Sequence, residues 1–513
     1  NKFNGVDGVQ GPYRLTGKEN EINILVLSGT ERVYIDGIAM TRGDQADYTI
    51  DYGIGEITFT ARRIITNATR ITVDFEYSDR KYSRSLISGR NQWNFLDDKI
   101  FLKASYVNEN DNIDKTIDFD LTDEDRQILS QAGADRNKAV RSGISFAGVD
   151  SLGNSKGLYI LVDTLIGTVR DTIYRYAPGN PDALYNVAFS LVGNGFGDYI
   201  KKTIYEYTFV GINQGNYAPI VFIPIPTAYQ MGDLNLTYFS SPKKEFYFNV
   251  ESAYSLLNRN KFSQDPFIDT KGAAILGEIG FKREKVNLFG MNFHSVDFSL
   301  KERYVNESFT SLDRINTVEF IRTYDIQDSS NATEELREGN LIVRPTNNFE
   351  IRGLFGQLKR GDFFDALRTN AGISFRDDSL RLPEVTYNID IVNSDYYIDN
   401  SKSRWIKQNA SLSFFRTAKI QKDIPTSFEF KVTYLGENRT DNVQRVFGDS
   451  VRFGSFAFNE VKPRLSINNF YNLGLYAEFN FRNDDLTDLG VMQNESKTYT
   501  QVYGLKYNGL QWL

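Results

Sequence analysis

Leu473-Gly474-Leu475-Tyr476-Ala477-Glu478-Phe479-Asn480-Phe481 decides the fold. Leu473, Leu475, Ala477, Phe479 and Phe481 alternate with Gly474, Tyr476, Glu478 and Asn480. Side chains of a strand point alternately to its two faces, so this run has one apolar face and one mostly polar face. The pattern recurs upstream. Phe428, Phe430, Val432 and Tyr434 alternate with Glu429, Lys431 and Thr433. Val296, Phe298 and Leu300 alternate with Asp297, Ser299 and Lys301, and Phe246, Phe248 and Val250 with Tyr247, Asn249 and Glu251. Leu234, Leu236 and Tyr238 alternate with Asn235 and Thr237; near the front, Ile100, Leu102, Ala104 and Tyr106 do so with Phe101, Lys103 and Ser105.

These runs are longer than the typical strand of about five or six residues. Polar turns rich in Asn, Asp, Gly and Ser separate them, and they continue from about residue 233 to the end. Aromatic residues are 14% of the chain, with 30 Tyr and 38 Phe, as two interfacial girdles of an outer-membrane barrel require. The reading is an all-β protein: an antiparallel transmembrane β-barrel of roughly 14–16 strands, apolar side to lipid and polar side to the lumen. A large soluble β protein, such as a stacked sandwich or a β-helix, has the same alternation and stays open as the alternative.

Composition removes many functions. The 513 residues contain no Cys and one His, which excludes a disulfide framework, a thiolate metal site, a cysteine nucleophile and nearly all His-based zinc chemistry. The net charge of −7 argues against nucleic acid, whose phosphates call for Lys and Arg. No stretch has 18 uncharged apolar residues, so no transmembrane helix is expected. The chain starts at Asn1 with no signal-peptide pattern, as a mature fragment would. The last run, QVYGLKYNGLQWL, alternates as a final strand should but lacks a terminal aromatic residue, which leaves room for further strands or a domain after Leu513.

The first 80 residues read as a separate small β domain. Strand-like runs there are short, with turn signals at Asp36-Gly37 and Gly53-Ile54-Gly55, the latter closing a hairpin over 47–60. About sixty such residues make a small immunoglobulin-like module. First barrel strands follow over 81–109. Residues 110–230 interrupt the alternation and are expected to fold as a mixed α/β loop insertion, since long structureless loops are rare. Thr122, followed by Asp123, Glu124 and Asp125 and then by Gly133, predicts a helix over 123–132. Long barrel loops face outward, so the insertion is expected at the cell surface, with its Tyr-rich segment 205–229 on the barrel mouth or folded inward as a lid. The remaining barrel strands occupy 231–513.

The stretches FNGVDGVQGPYRLTG (3–17), ILVLSGTERVYIDG (24–37), RGDQADYTIDYGIGEITFT (42–60) and ITVDFEYSDR (71–80) resemble a family of large outer-membrane proteins of Bacteroidota. Its shared run is GPYRL…SGTERVYIDG…DYTIDYGIGEITFT. The resemblance implies an outer-membrane barrel preceded by a small plug-like or Ig-like β domain, and no known reaction. The hairpin DYTIDYGIGEITF also resembles modules of the type IX secretion and gliding translocon of that phylum. In the same phylum Asp-Ser/Thr-apolar triplets carry O-glycans, and Asp150-Ser151-Leu152, Asp163-Thr164-Leu165 and Asp171-Thr172-Ile173 all fall in the insertion.

Chemistry candidates are few. His294 and Asp297 lie three apart on a strand and so on opposite faces, and no GxSxG run is present. Acidic runs at 109–114 and 483–488 lack EF-hand spacing and read as solvated loop tips. Asp362 and Asp377 cannot be assigned to one cleft, and GNGFGD at 193–198 reads as a loop. Asn67, Asn235 and Asn331 open Asn-X-Ser/Thr triplets read as chance, Asn235 lying within a strand. No catalytic, cofactor-binding or metal residue is nominated, and no enzyme activity is expected. The expected function is an outer-membrane barrel serving as a structural or accessory component of an envelope protein-export, barrel-assembly or surface-display complex. Its expected partners are outer-membrane lipid or lipopolysaccharide and other envelope proteins or surface lipoproteins. The alternative is a porin-like solute pore with a loop lid, for which Arg352, Lys431 and Glu478 would be lumen charges.

Overall fold

A computed structural model describes residues 1–18, 21, 24–62, 65–67, 69–78, 81–166, 169–241, 245–265, 269–288, 290–327, 330–377, 379, 381–420, 425–443, 450–451, 454–488 and 491–507. Side chains of 164–171, 288, 443, 450, 451 and 488 lie outside this description.

Alternation becomes one large antiparallel sheet of fifteen long strands in chain order, with the short pair Ser450–Val451 added beside one of them. The strands are β1 (Tyr82–Phe95), β2 (Ile100–Thr116), β3 (Ala228–Phe239), β4 (Phe246–Asn258) and β5 (Thr270–Leu288). Then come β6 (Met291–Val305), β7 (Glu334–Thr346), β8 (Phe349–Arg360), β9 (Phe364–Phe375) and β10 (Glu384–Tyr396). The last five are β11 (Ser401–Ala418), β12 (Thr426–Val443), β13 (Phe456–Phe470), β14 (Leu473–Asp488) and β15 (Val491–Tyr507). Each is bonded to the next, and among the described residues β1 is not bonded to β15. No helix among the described residues is long and apolar enough to cross a membrane.

The two longest connections share one end. One end carries short turns, such as Tyr471-Asn472, both at positive φ, the two-residue geometry that matches the right-handed twist of its flanking strands. The other end carries the long connections: 117–227 between β2 and β3, and 306–333 between β6 and β7. The N-terminal residues lead into β1 at this same end.

Residues 1–78 form small antiparallel sheets. One runs Lys2–Asn4, Arg70–Asp74, Arg32–Ile35, Ile38–Ala39; another runs Tyr13–Arg14, Glu56–Phe59, Tyr48–Asp51. Leu15, Val33, Ile35, Ile57, Ile65, Ile71 and Val73 are fully buried between them. The pair Asp51↔Glu56 closes the hairpin around Gly53-Ile54-Gly55. In the insertion, helix α1 spans Asp123–Ala132, with Thr122 accepting from the Asp125 amide and Asp125 accepting in return from the Thr122 amide. Ile223 packs with Leu129 and Ala132 of α1, so part of segment 205–229 lies on the helix at the long-connection end.

Both acidic runs depart from the loop-tip reading. Asp111 lies within β2, is buried, and pairs with Arg84 of β1 at 2.7 Å while accepting from the Thr227 amide. Asp484 lies within β14 and holds Arg482 at 2.8 Å. Ladder bonds use the backbone, so a polar strand end pairs as readily as an apolar one once cross-strand partners neutralise its charge.

Candidate functional site: a loop seated in the concave face

The sheet is polar where it is buried and apolar where it is exposed. On one face Val250, Ile275, Ile279, Leu300, Leu341, Phe355, Ile373, Leu412, Phe430 and Leu465 are all at least 40% exposed. On the other, Arg303, Glu334, Asp390, Glu437, Asp441 and Glu460 are all under 10%. Soluble sheets do the reverse, because burial of apolar area is what stabilises them.

Loop 306–327 covers the polar face. It accepts the Tyr229 hydroxyl of β3 at the Thr310 carbonyl and donates from the Thr310 amide to Ser255 of β4. Its short helix α2, Phe320–Thr323, aims Arg322 at Glu437 of β12. Tyr324 donates its hydroxyl to Glu338 of β7 at 2.7 Å, Asp325 accepts Arg439 Nε of β12 at 2.8 Å, and Gln327 donates to Asp441 of β12 at 2.8 Å. Tyr396 of β10 donates to the Asp325 carbonyl, and Lys407 of β11 to the Arg322 carbonyl at 3.2 Å. A single short loop can hold strands from β3 through β12 only if the sheet wraps around it, so this face is concave.

Packing reinforces the polar contacts. Phe320, Tyr324 and Ile326 are buried against Leu336, Leu358, Phe364, Val392, Tyr396 and Trp405. Gly356 permits the closest approach: a Cβ there would stand 2.5 Å from the Tyr324 hydroxyl. The Trp405 ring lies beneath Arg322, at 4.8 Å, and beside Lys407, at 4.3 Å, two cation–π contacts from loop and wall. Burial, then the charge of Glu338, raises the pKa of the Tyr324 phenol, which stays neutral and a donor.

The same loop grips the N-terminal domain. Arg314 pairs with Asp74, Glu319 with Arg70 at 3.3 Å, and Asp313 with Arg32 at 3.3 Å. The Asp313 carboxyl titrates below its ordinary range, chiefly because it accepts the Arg314 amide. Two cavities flank the loop, each with charged side chains set in a largely apolar wall. One of about 490 Å³ is lined by Arg70, Arg322, Asp325, Glu437, Arg482 and Asp484; the other of about 520 Å³ by Arg90, Lys103, Asp233, Glu251, Arg303 and Asp313.

The sequence-derived candidates are scattered. His294 and Asp297 occupy opposite faces of β6. Asp362 lies in the turn between β8 and β9 at the long-connection end, and Asp377 in the connection after β9 at the other end. Asn235 points to the polar face and donates to Asn249 and Glu251. Arg352, Lys431 and Glu478 do share the concave side, Glu478 pairing with Arg464 at 3.6 Å. The loop itself was missed. Its signal was a break of alternation between Val305 and Glu334, flanked by strands whose polar positions carry unusually many Arg and Glu.

A family model described as a domain of unknown function, DUF8818, matches residues 1–79, the small β domain alone. No curated protein matches the chain.

Proposed function

We propose that the large sheet is the wall of an outer-membrane β-barrel and that the chain is a structural or accessory component of an envelope complex for protein export, barrel assembly or surface display. The observation that carries this is the inversion of the sheet: an apolar, exposed convex face against a charged, buried concave face, which suits lipid outside and polar filling inside. Its lumen holds a tethered plug rather than a clear channel, which favours a scaffold over a conductor. Long connections face outward in such barrels, so the N-terminal domain and the insertion stand at the cell surface, available to envelope proteins. Affinity purification from native membranes in mild detergent is the test. Stable co-purifying envelope proteins support the reading; a solitary chain contradicts it.

The second reading is a solute pore with a loop lid, favoured by the two cavities that the loop leaves beside it, each carrying Arg, Asp and Glu side chains. Planar-bilayer recording separates the two. Steady ohmic conductance favours the pore, and silence that ends when loop 306–327 is removed favours the plugged scaffold.

A further inference from the structure

The charges around the cavity of about 490 Å³ pair with one another: Arg322 holds Glu437, and Arg482 holds Asp484 at 2.8 Å. The cavity of about 520 Å³ differs. Arg90 of β1, Lys103 of β2, Asp233 of β3 and Glu251 of β4 line it, and none of the four is ion-paired among the described residues. Glu251 accepts only the Asn235 amide, at 3.3 Å.

The sheet sorts these charges by sign. Arg90 stands opposite Ser105, which stands opposite Asp233. Lys103 stands opposite Asn235, which stands opposite Glu251. In each row a cation and a carboxylate are thus two strands apart, about 9–10 Å between backbones. Arg90 and Lys103 are diagonal neighbours, and so are Asp233 and Glu251. Long side chains reach diagonal neighbours, so each side of the cavity gathers one sign of charge, an arrangement unfavourable on its own. Apolar side chains of the loop line the same space. Leu312 is 51% exposed and Ile315 43%, although covering such surface would stabilise the fold. A concave, largely apolar wall with a few convergent polar groups is the make-up of a small-molecule site.

We propose that this cavity binds a short peptide with free termini and apolar side chains, its carboxylate on Arg90 and Lys103 and its ammonium on Asp233 and Glu251. An ion of one sign satisfies one side only; a zwitterion satisfies both. Two extended residues span about 7 Å, which fits between side chains reaching inward from the two pairs of strands. A guanidinium takes a carboxylate through two parallel hydrogen bonds, and the peptide's apolar side chains cover Leu312 and Ile315. The inference needs the cavity alone and holds whether or not the convex face meets lipid.

Leucyl-leucine is the probe, its binding to the chain folded in detergent read by equilibrium dialysis. It is expected to bind. N-acetyl-leucyl-leucine, which lacks the ammonium, and leucyl-leucinamide, which lacks the carboxylate, are each expected to bind roughly tenfold or more weakly. Arg90→Gln with Lys103→Gln is expected to weaken leucyl-leucine by a similar factor and leucyl-leucinamide not at all. Asp233→Asn with Glu251→Gln is expected to weaken leucyl-leucine likewise and N-acetyl-leucyl-leucine not at all. The comparison of three ligands on the parent chain needs no variant, so it decides the matter even where a substitution disturbs folding. Leucyl-leucine that does not bind at millimolar concentration, that binds no more tightly than its blocked forms, or whose affinity ignores either pair of substitutions overturns the proposal.

Discussion

The carboxylate of Asp325, on the loop, accepts Nε of Arg439, on β12, at 2.8 Å, and the two side chains are only 5% and 12% exposed. Removing one partner of an isolated buried pair costs about 3–5 kcal/mol, and removing Asp325 costs less than that, because Arg439 keeps Asp441 at 3.5 Å. Asp325→Ala is therefore expected to lower the urea midpoint in detergent, and Asp325→Ala with Arg439→Met to regain only part of it at unchanged slope, since Asp441 then loses Arg439. Equal midpoints for Asp325→Ala and the parent would show that the loop is not held by this pair.

Gly356 lies under Tyr324 on the row that also carries Glu338 and Arg368. Gly356→Val puts side-chain atoms where the phenol sits and is expected to expel Tyr324 from the wall. In planar bilayers the variant is expected to conduct while the parent is silent. Adding Tyr324→Gly to it makes room again, and closure should return in part. Silence in Gly356→Val would mean that the loop does not block the lumen.

The grip on the N-terminal domain is coupled by charge through Arg314 and Asp74. Arg314→Glu sets like charges side by side, and Asp74→Arg does the same. The doubly swapped chain restores the pair, so protease release of residues 1–80 is expected to be faster in either single variant and near the parent rate in the double. Additive single effects would contradict a direct contact.

Asp377, in the connection after β9, accepts the Ser379 hydroxyl and the amides of Leu382, Ser379 and Arg381, which lower its pKa to about 2 from 3.8. Its folded value lies below its unfolded one. The stabilisation of this turn is thus complete above pH 3.8 and is lost as pH falls through about 2. Amide exchange of Leu382, corrected for intrinsic rate, is expected to be faster at pH 2 than at pH 5, and Asp377→Asn should bring the faster rate to pH 5. Exchange that ignores both changes would refute the turn.

The all-β class and the large antiparallel sheet were legible because period-two alternation is a local signal. LGLYAEFNF shows its two faces without any partner strand. Helix α1 was legible too, since Thr122 and its three following acids satisfy the first turn by themselves. Polar strand ends were not. Glu109 to Asp114 looks like a loop tip until Arg84 of β1 and Thr227 are seen to satisfy Asp111. Nor was the loop site. Arg439, Glu437 and Asp441 look like ordinary polar positions of a strand, and only the wrapping of the sheet brings Arg322, Asp325 and Gln327 to them from more than a hundred residues away.

The inversion of the sheet's faces is the central claim, and β5 tests it most directly. Single cysteines at 274 to 280, each carrying a spin label in lipid vesicles, report accessibility to oxygen, which dissolves in lipid, and to a polar nickel chelate, which does not. The expected result is a two-residue rhythm, with Ile275, Gly277 and Ile279 open to oxygen and Ala274, Leu276 and Glu278 shielded from it. Equal access to the nickel chelate at Ile275, Gly277 and Ile279 would place the convex face in water and contradict the account.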